Sequence, residues 1–209
     1  MSFTKEQINF LREAIVPYMS EKRYAHTLGV EEMAKRLGSI CLADKVSELR
    51  CAALLHDVAK ELSDEESLML LAEYAEISEE DLLSPPAFHA FCAPIVIRRD
   101  FPEYATDDII SAAFKHTTGG EDMTLFNLII FLSDYIEEGR AYRECTALRE
   151  RLFAELEKAK GEESAAMIHR AALSELQATV AHLKEKGRYI NPRTQRAMES
   201  LLKKGYTAL

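Results

Sequence analysis

Cys51-Ala52-Ala53-Leu54-Leu55-His56-Asp57-Val58-Ala59-Lys60 sets an adjacent imidazole and carboxylate into an otherwise apolar helical run. Burying both groups without partners is expensive, so the pair calls for a metal ion or comparable counter-charge. Four further candidate ligands stand at wide intervals around it: His26 upstream, then His89, His116 and Asp134 downstream. An ordered series of six imidazoles and carboxylates on helical segments is the skeleton of a buried metal centre in an all-α protein.

Helical periodicity runs outward from this stretch in both directions. Ile8, Leu11, Ile15 and Met19 predict a helix over 4–19 capped by Thr4, and His26, Val30, Ala34 and Leu37 share one stripe of a helix over 21–37. Gly38 is its natural stop, and the next helix begins near Asp44, carrying Val46, Leu49, Ala53 and His56 inward. Ser63-Asp64-Glu65-Glu66 and Ser78-Glu79-Glu80-Asp81 resemble capping boxes and start two short helices. Pro85-Pro86 opens the segment that holds His89, and Phe101-Pro102 closes it. Thr106 starts a helix ending at Lys115-His116, and Thr124 starts an apolar one that carries Asp134 and ends near Gly139. Helices over 144–159 and 162–186 and a short last one after Asn191-Pro192 complete an all-α bundle. No alternating β pattern, linker or repeat interrupts it. The expectation is one domain over residues 1–209, with 141–209 as a C-terminal helical extension.

Composition narrows the function. The 209 residues are 47% hydrophobic and 29% charged, as in an ordinary globule large enough to need no disulfide staples. Cys41, Cys51, Cys92 and Cys145 lack CxxC spacing, which argues for packed, reduced thiols rather than a zinc ribbon. Met1-Ser2-Phe3-Thr4-Lys5-Glu6-Gln7 lacks the apolar core of a signal peptide, and the strongest apolar run, Leu125 to Leu132, is too short to cross a bilayer. A cytoplasmic home without membrane contact is expected. A net charge of -9 is a poor footprint for nucleic acid, so attraction of a polyphosphate would have to be local. The amphipathic C-terminal helices have the length to support a homodimer.

Imidazole and carboxylate together make a borderline-to-hard site suited to Fe, Mn, Co, Ni or Zn, with iron the leading choice. Asp57, beside His56, is the expected bridge between two divalent ions. The first takes His26, His56, Asp57 and Asp134, and the second takes Asp57, His89 and His116. Two such ions bind phosphoryl oxygens and activate a water near neutral pH. Each residue alone has a plainer role. His26 would serve as a core histidine, His89 in Phe88-His89-Ala90-Phe91 as part of an aromatic patch, His116 as a partner of its helix end, and Asp134 as a turn residue. Their joint order carries the argument. His169 and His182 fit no part of it and are read as surface residues.

Tyr24-Ala25-His26-Thr27-Leu28-Gly29-Val30, Leu54-Leu55-His56-Asp57-Val58-Ala59-Lys60, Lys115-His116-Thr117-Thr118-Gly119-Gly120 and Leu132-Ser133-Asp134-Tyr135-Ile136-Glu137-Glu138-Gly139-Arg140 together resemble the YqeK-type branch of the HD-domain superfamily. These are bacterial symmetrical diadenosine tetraphosphate hydrolases, and the resemblance runs from about Lys22 to Pro192. Ser133 and Glu138 replace the usual Ala and Pro, and the His89 segment is the loosest match. The resemblance implies hydrolysis of a dinucleoside polyphosphate, with diadenosine tetraphosphate and water giving two ADP. Asp57, Lys60 and Arg140 are the expected catalytic residues. Lys60, Thr117, Thr118, Gly119 and Arg140 are the expected polyphosphate contacts. Lys60 and Arg140 have plain surface roles as alternatives, and Thr117 to Gly119 could simply end a helix. Two other functions fit the same residues: a broader nucleotidase or phosphodiesterase, and a nucleotide-sensing module without turnover.

Overall fold

The computed structural model describes residues 2–74 and 77–209. Eleven α-helices follow one another among the described residues, with no strand: α1 (Lys5–Ala14), α2 (Glu21–Cys41), α3 (Val46–Leu55), α4 (Asp64–Tyr74), α5 (Glu79–Leu82), α6 (Phe88–Asp100), α7 (Asp107–Lys115), α8 (Leu125–Ile136), α9 (Arg143–Leu156), α10 (Glu162–Glu185) and α11 (Pro192–Lys203). The all-α expectation holds.

Side-chain caps mark many of the helix starts. Thr4, Ser20, Ser78, Thr106 and Thr124 each accept a bond from the third helical N–H, and Ser63 and Glu66 exchange bonds as a capping box. A cap of this kind is worth about 1 kcal/mol.

Several boundaries differ from the sequence reading. The segment 4–19 splits because Pro17 has no N–H and crowds the preceding turn, so α1 stops at Ala14 and a 3-10 turn covers Val16–Tyr18. Gly38 is not a stop, since α2 continues to Cys41. A Cβ on Gly38 would lie 2.5 Å from Leu49 Cδ1, so this glycine lets α2 and α3 approach closely. α3 begins at Val46, after a 3-10 turn, and ends at Leu55. Lys60 therefore does not extend the helix of His56: residues 56–61 form turns, with Lys60 N–H donating to the Asp57 carbonyl. α8 stops at Ile136 because Glu137 takes an extended ψ of 156°. α9 ends at Leu156, short of 159. His169 is half-buried and stacked on Tyr206 at 4.6 Å, whereas His182 is exposed.

One continuous apolar cluster runs from Phe3 to Leu201. α2 packs on α3, and α8 lies against α2, α3, α7 and α10. Leu128, Ile129, Ile130 and Leu132 of α8 are fully buried, each worth about 2 kcal/mol relative to exposure. α10 closes over α8 with Ile168, Ala172, Leu173 and Leu176. α11 is tied to α5 by the buried Asp81, which accepts two bonds from Arg193 and one from Asn191. Four helices (α2, α3, α7 and α8) thus converge with their ends near one point, where α6 brings its first turn.

Candidate metal centre

All six candidate ligands meet at that point. His56 and His116 occupy equivalent places, each just beyond the last residue of its helix, at the C-cap. Each donates its Nδ1 proton to the carbonyl three residues back, His56 to Ala53 at 2.6 Å and His116 to Ala113 at 2.7 Å. That bond fixes the tautomer and leaves each Nε2 as a lone pair facing the centre. Alanine at positions 53 and 113 leaves room for the ring to fold back.

Asp57 sits in the middle, almost wholly buried. Its Oδ1 lies 3.3 Å from His89 Nε2 and 3.4 Å from His116 Nε2, and its Oδ2 lies 3.5 Å from His56 Nε2 and 4.0 Å from His26 Nε2. One carboxylate thus spans two groups of imidazoles. His26 Nε2 is 3.0 Å from Asp134 Oδ1, and His89 Nε2 is 3.1 Å from His116 Nε2. The ligand atoms of His26, His56 and Asp134 lie within 4.8 Å of one another, as do those of His56, Asp57 and His116.

Two buried atoms, His56 Nε2 and Asp57 Oδ1, have no hydrogen-bond partner, and a third, His26 Nε2, has only the Asp134 carboxylate oxygen at 3.0 Å beside it. Leaving buried polar atoms unsatisfied is expensive, of the order of 1–3 kcal/mol each. Their common direction toward one point is what a metal ion would satisfy. The donor set fits the group: neutral imidazole nitrogens and carboxylate oxygens, with no thiolate nearby.

Electrostatics support this. Burial pushes His56 down to about 4, with His116 adding to the effect against Asp57. Burial, His116 and Lys60 also hold His89 well below its usual value. Burial would raise Asp57, but His56, His116 and His89 together hold it well below the carboxylate range. His26 goes the other way, to about 9: burial opposes its charge, but Asp134 and Glu137 overcome it. A cation entering beside His26 therefore displaces a proton.

Two residues not singled out from the sequence complete the site. Arg23 Nη1 pairs with Asp57 Oδ2 at 2.7 Å; it stands one turn before His26, a spacing that could have suggested it. Glu137 Oε1 lies 3.1 Å from His26 Nδ1 and orients that ring from behind. Periodicity gave no signal for Glu137, because it faces back only after α8 has ended.

Gly29 is explained by the same contact. A Cβ there would lie 2.5 Å from Glu137 Oε2 and 3.2 Å from Glu137 Cδ. Gly29→Ala should push the carboxylate off His26 and weaken metal binding by about 10–100-fold, the usual effect of losing such an orienting group. Equilibrium dialysis against a divalent metal reads this directly; unchanged affinity would show that Glu137 does not set the orientation of His26.

The expected phosphate contacts divide. Lys60 Nζ lies 3.0 Å from His89 Nε2, and Thr117 Oγ1 lies 3.0 Å from the same atom. Arg140 pairs with Asp134 Oδ1 at 2.7 Å and also donates to its carbonyl. Thr118 and Gly119 face elsewhere. Thr118 is buried and donates to the Gly119 carbonyl, and Gly119 N–H donates to Lys115. Gly119 has φ +69°, and a Cβ on it would meet Ala197 of α11 at 2.9 Å. Its part is to end α7 against α11.

A buried cluster of histidines and aspartates at the ends of α2, α3, α7 and α8 defines a class of metal-dependent phosphohydrolase. The chain belongs to the HD domain family, which residues 23–139 match and which encloses all six candidate ligands. Within it, the chain is 31% identical over 192 residues to the symmetrical bis(5'-nucleosyl)-tetraphosphatase of Halalkalibacterium halodurans, covering 91% of this chain and 94% of that one. It is 34% identical over 126 residues to the protein of the same name in Bacillus subtilis, covering 59% of this chain and 66% of that one. The fold is similar to a crystal structure from Clostridium acetobutylicum, described as a predicted HD superfamily hydrolase involved in NAD metabolism. The TM-score is 0.80 at 26% identity, covering 98% of this chain and 100% of that one. No helix among the described residues is long and apolar enough to cross a membrane.

Proposed function

We propose that this chain is a metal-dependent symmetrical bis(5'-nucleosyl)-tetraphosphatase, which cleaves diadenosine tetraphosphate with water into two ADP. The observation that carries the reading is the convergence of partnerless buried ligand atoms around Asp57, in a chain alike along nearly its whole length to an enzyme of that name. His26, His56, Asp57 and Asp134 would hold one divalent ion, and Asp57, His89 and His116 a second. The nitrogen and oxygen donors suit iron, with Mn, Co, Ni or Zn as substitutes. When bound, the ions supply Lewis acidity to phosphoryl oxygens and an activated water.

The chain's own residues do the rest. Three carboxylates (Asp57, Asp134, Glu137) are balanced by three cationic side chains (Arg23, Lys60, Arg140), so a loaded site is net positive. That local charge attracts a polyphosphate despite the overall -9. Lys60, whose Nζ lies 3.0 Å from His89 Nε2, would donate to a phosphate bound beside that ring. Arg140, already at the site's edge, neutralises charge that grows on the leaving phosphate. Thr117 offers its hydroxyl beside His89. These are fixed donors aimed into a partly dehydrated pocket, where each interaction is stronger than in water. A reduced, cytoplasmic setting is consistent with four free cysteines and with iron as the ion.

A substrate panel tests the reading. Metal-loaded protein should consume diadenosine tetraphosphate and give ADP alone, with little phosphate released from AMP or ADP. Rapid release of phosphate from mononucleotides, or AMP plus ATP from the dinucleotide, would overturn the assignment.

A further inference from the structure

The centre opens into two cavities that share Arg140 and Tyr142 as a dividing wall. One, about 500 Å³, runs along α2, with Lys22, Arg23 and His26 in its lining beside the carboxylates of Glu61 and Glu137. The other, about 740 Å³, lies between the α8–α9 turn and the C-terminal half of α10. It begins at Asp134, so it is continuous with the candidate metal centre, but its far wall is of another kind: Ala178, Thr179, His182 and Leu183 of α10 face Tyr135 and Tyr142. Those α10 residues belong to the C-terminal extension, which on periodicity alone is a scaffold or a dimer surface.

Tyr142 is the most exposed aromatic side chain among the described residues, at 68%. Its backbone is fixed, since it is the N-cap of α9 and its carbonyl accepts the Thr146 N–H. A large ring with one wet face, held on a rigid helix start and lining the same cavities as Arg140, is a stacking platform. The polar groups opposite it, the Thr179 hydroxyl and His182 imidazole, are of the kind that bond a ribose or a base edge. The two cavities therefore differ in chemistry: Lys22, Arg23 and Arg140 outnumber the carboxylates of Glu61 and Glu137 in one, while the other joins an aromatic face to Thr179, His182 and the carboxylates of Glu144 and Glu185.

We propose that the cavity between the α8–α9 turn and α10 is a nucleoside subsite, in which Tyr142 stacks on a base and the attached phosphates pass Arg140 to the metal centre. This rests on the polyphosphate reading above. The ligand class is a nucleoside 5'-polyphosphate, and α10 thereby becomes a wall of the substrate site rather than scaffold alone.

Calorimetric dissociation constants of ADP and of inorganic pyrophosphate for the metal-loaded full chain test this. In the wild type ADP should bind at least about tenfold more tightly than pyrophosphate, the difference a single base stack supplies. Tyr142→Ala should remove that difference while leaving pyrophosphate binding as it was, and Tyr142→Phe should retain it. Ala178→Leu, an exposed cavity-wall substitution with no aromatic face, should weaken ADP alone. Equal affinities for the two ligands in the wild type, or variants that leave the ADP advantage intact, would overturn the subsite. Protein that favours ADP through Tyr142 and yet leaves diadenosine tetraphosphate whole would sink the hydrolase reading and keep the subsite.

Discussion

Asp57→Ala is expected to lose both metal ions and to reduce hydrolysis on the order of a thousandfold or more, with the helical fold retained. One carboxylate oxygen lies 3.5–4.0 Å from His56 and His26 and the other 3.3–3.4 Å from His89 and His116, so Asp57 is placed to join the two halves. Removing the Lewis acids forfeits several kcal/mol of transition-state stabilisation, each 1.36 kcal/mol being tenfold in rate. Stability should not suffer in proportion. The substitution removes a buried charge, and its partner Arg23 remains about a quarter exposed at its side chain, able to turn to water. The sharper reading is thermal. Wild-type protein should melt higher as metal is added, by a binding contribution of about 2.7 kcal/mol at a hundredfold excess over Kd, and the variant should not respond. A variant that keeps its metals, or its activity, would remove Asp57 from the bridge.

His89→Ala should take one ion of two and lower activity by about a hundredfold or more, while the first ion keeps its four ligands. In the proposed assignment the second ion has three protein ligands, so losing one would leave Asp57 and His116 alone. His89 also carries Lys60 and Thr117 on its Nε2, and its ring is held neutral by burial, His116 and Lys60, the state that ligation needs. Elemental analysis of protein saturated with metal and then desalted gives the count. A ratio of ions to protein that does not fall would make His89 a structural residue of the α6 start, and the second ion would need another ligand.

What the sequence disclosed and what it concealed divide along physical lines. Ligands on long periodic helices, such as His26 on α2 and Asp134 on α8, were legible because their neighbours fix which face is buried. The two imidazoles at helix ends were legible as residues but not in orientation, since the bonds from His56 to Ala53 and from His116 to Ala113 depend on where each helix stops. Glu137 stood in the segment that carries the resemblance, but its contact with His26 was hidden for the same reason: it turns back only because α8 ends one residue earlier. Gly38 misled, because a glycine that admits a neighbouring helix and one that ends a helix look alike in a single chain. Thr118 and Gly119 sit beside Thr117 in sequence, yet a φ of +69° at Gly119 turns that part of the loop toward α11 instead of the centre.

The most direct test of the account is cleavage of diadenosine tetraphosphate by metal-loaded protein in water labelled with heavy oxygen, with the products read by mass spectrometry. The account predicts ADP as the sole nucleotide, with one label for each bond broken and therefore half of the ADP molecules labelled. Labelled AMP or ATP, or ADP that carries no label, would contradict it.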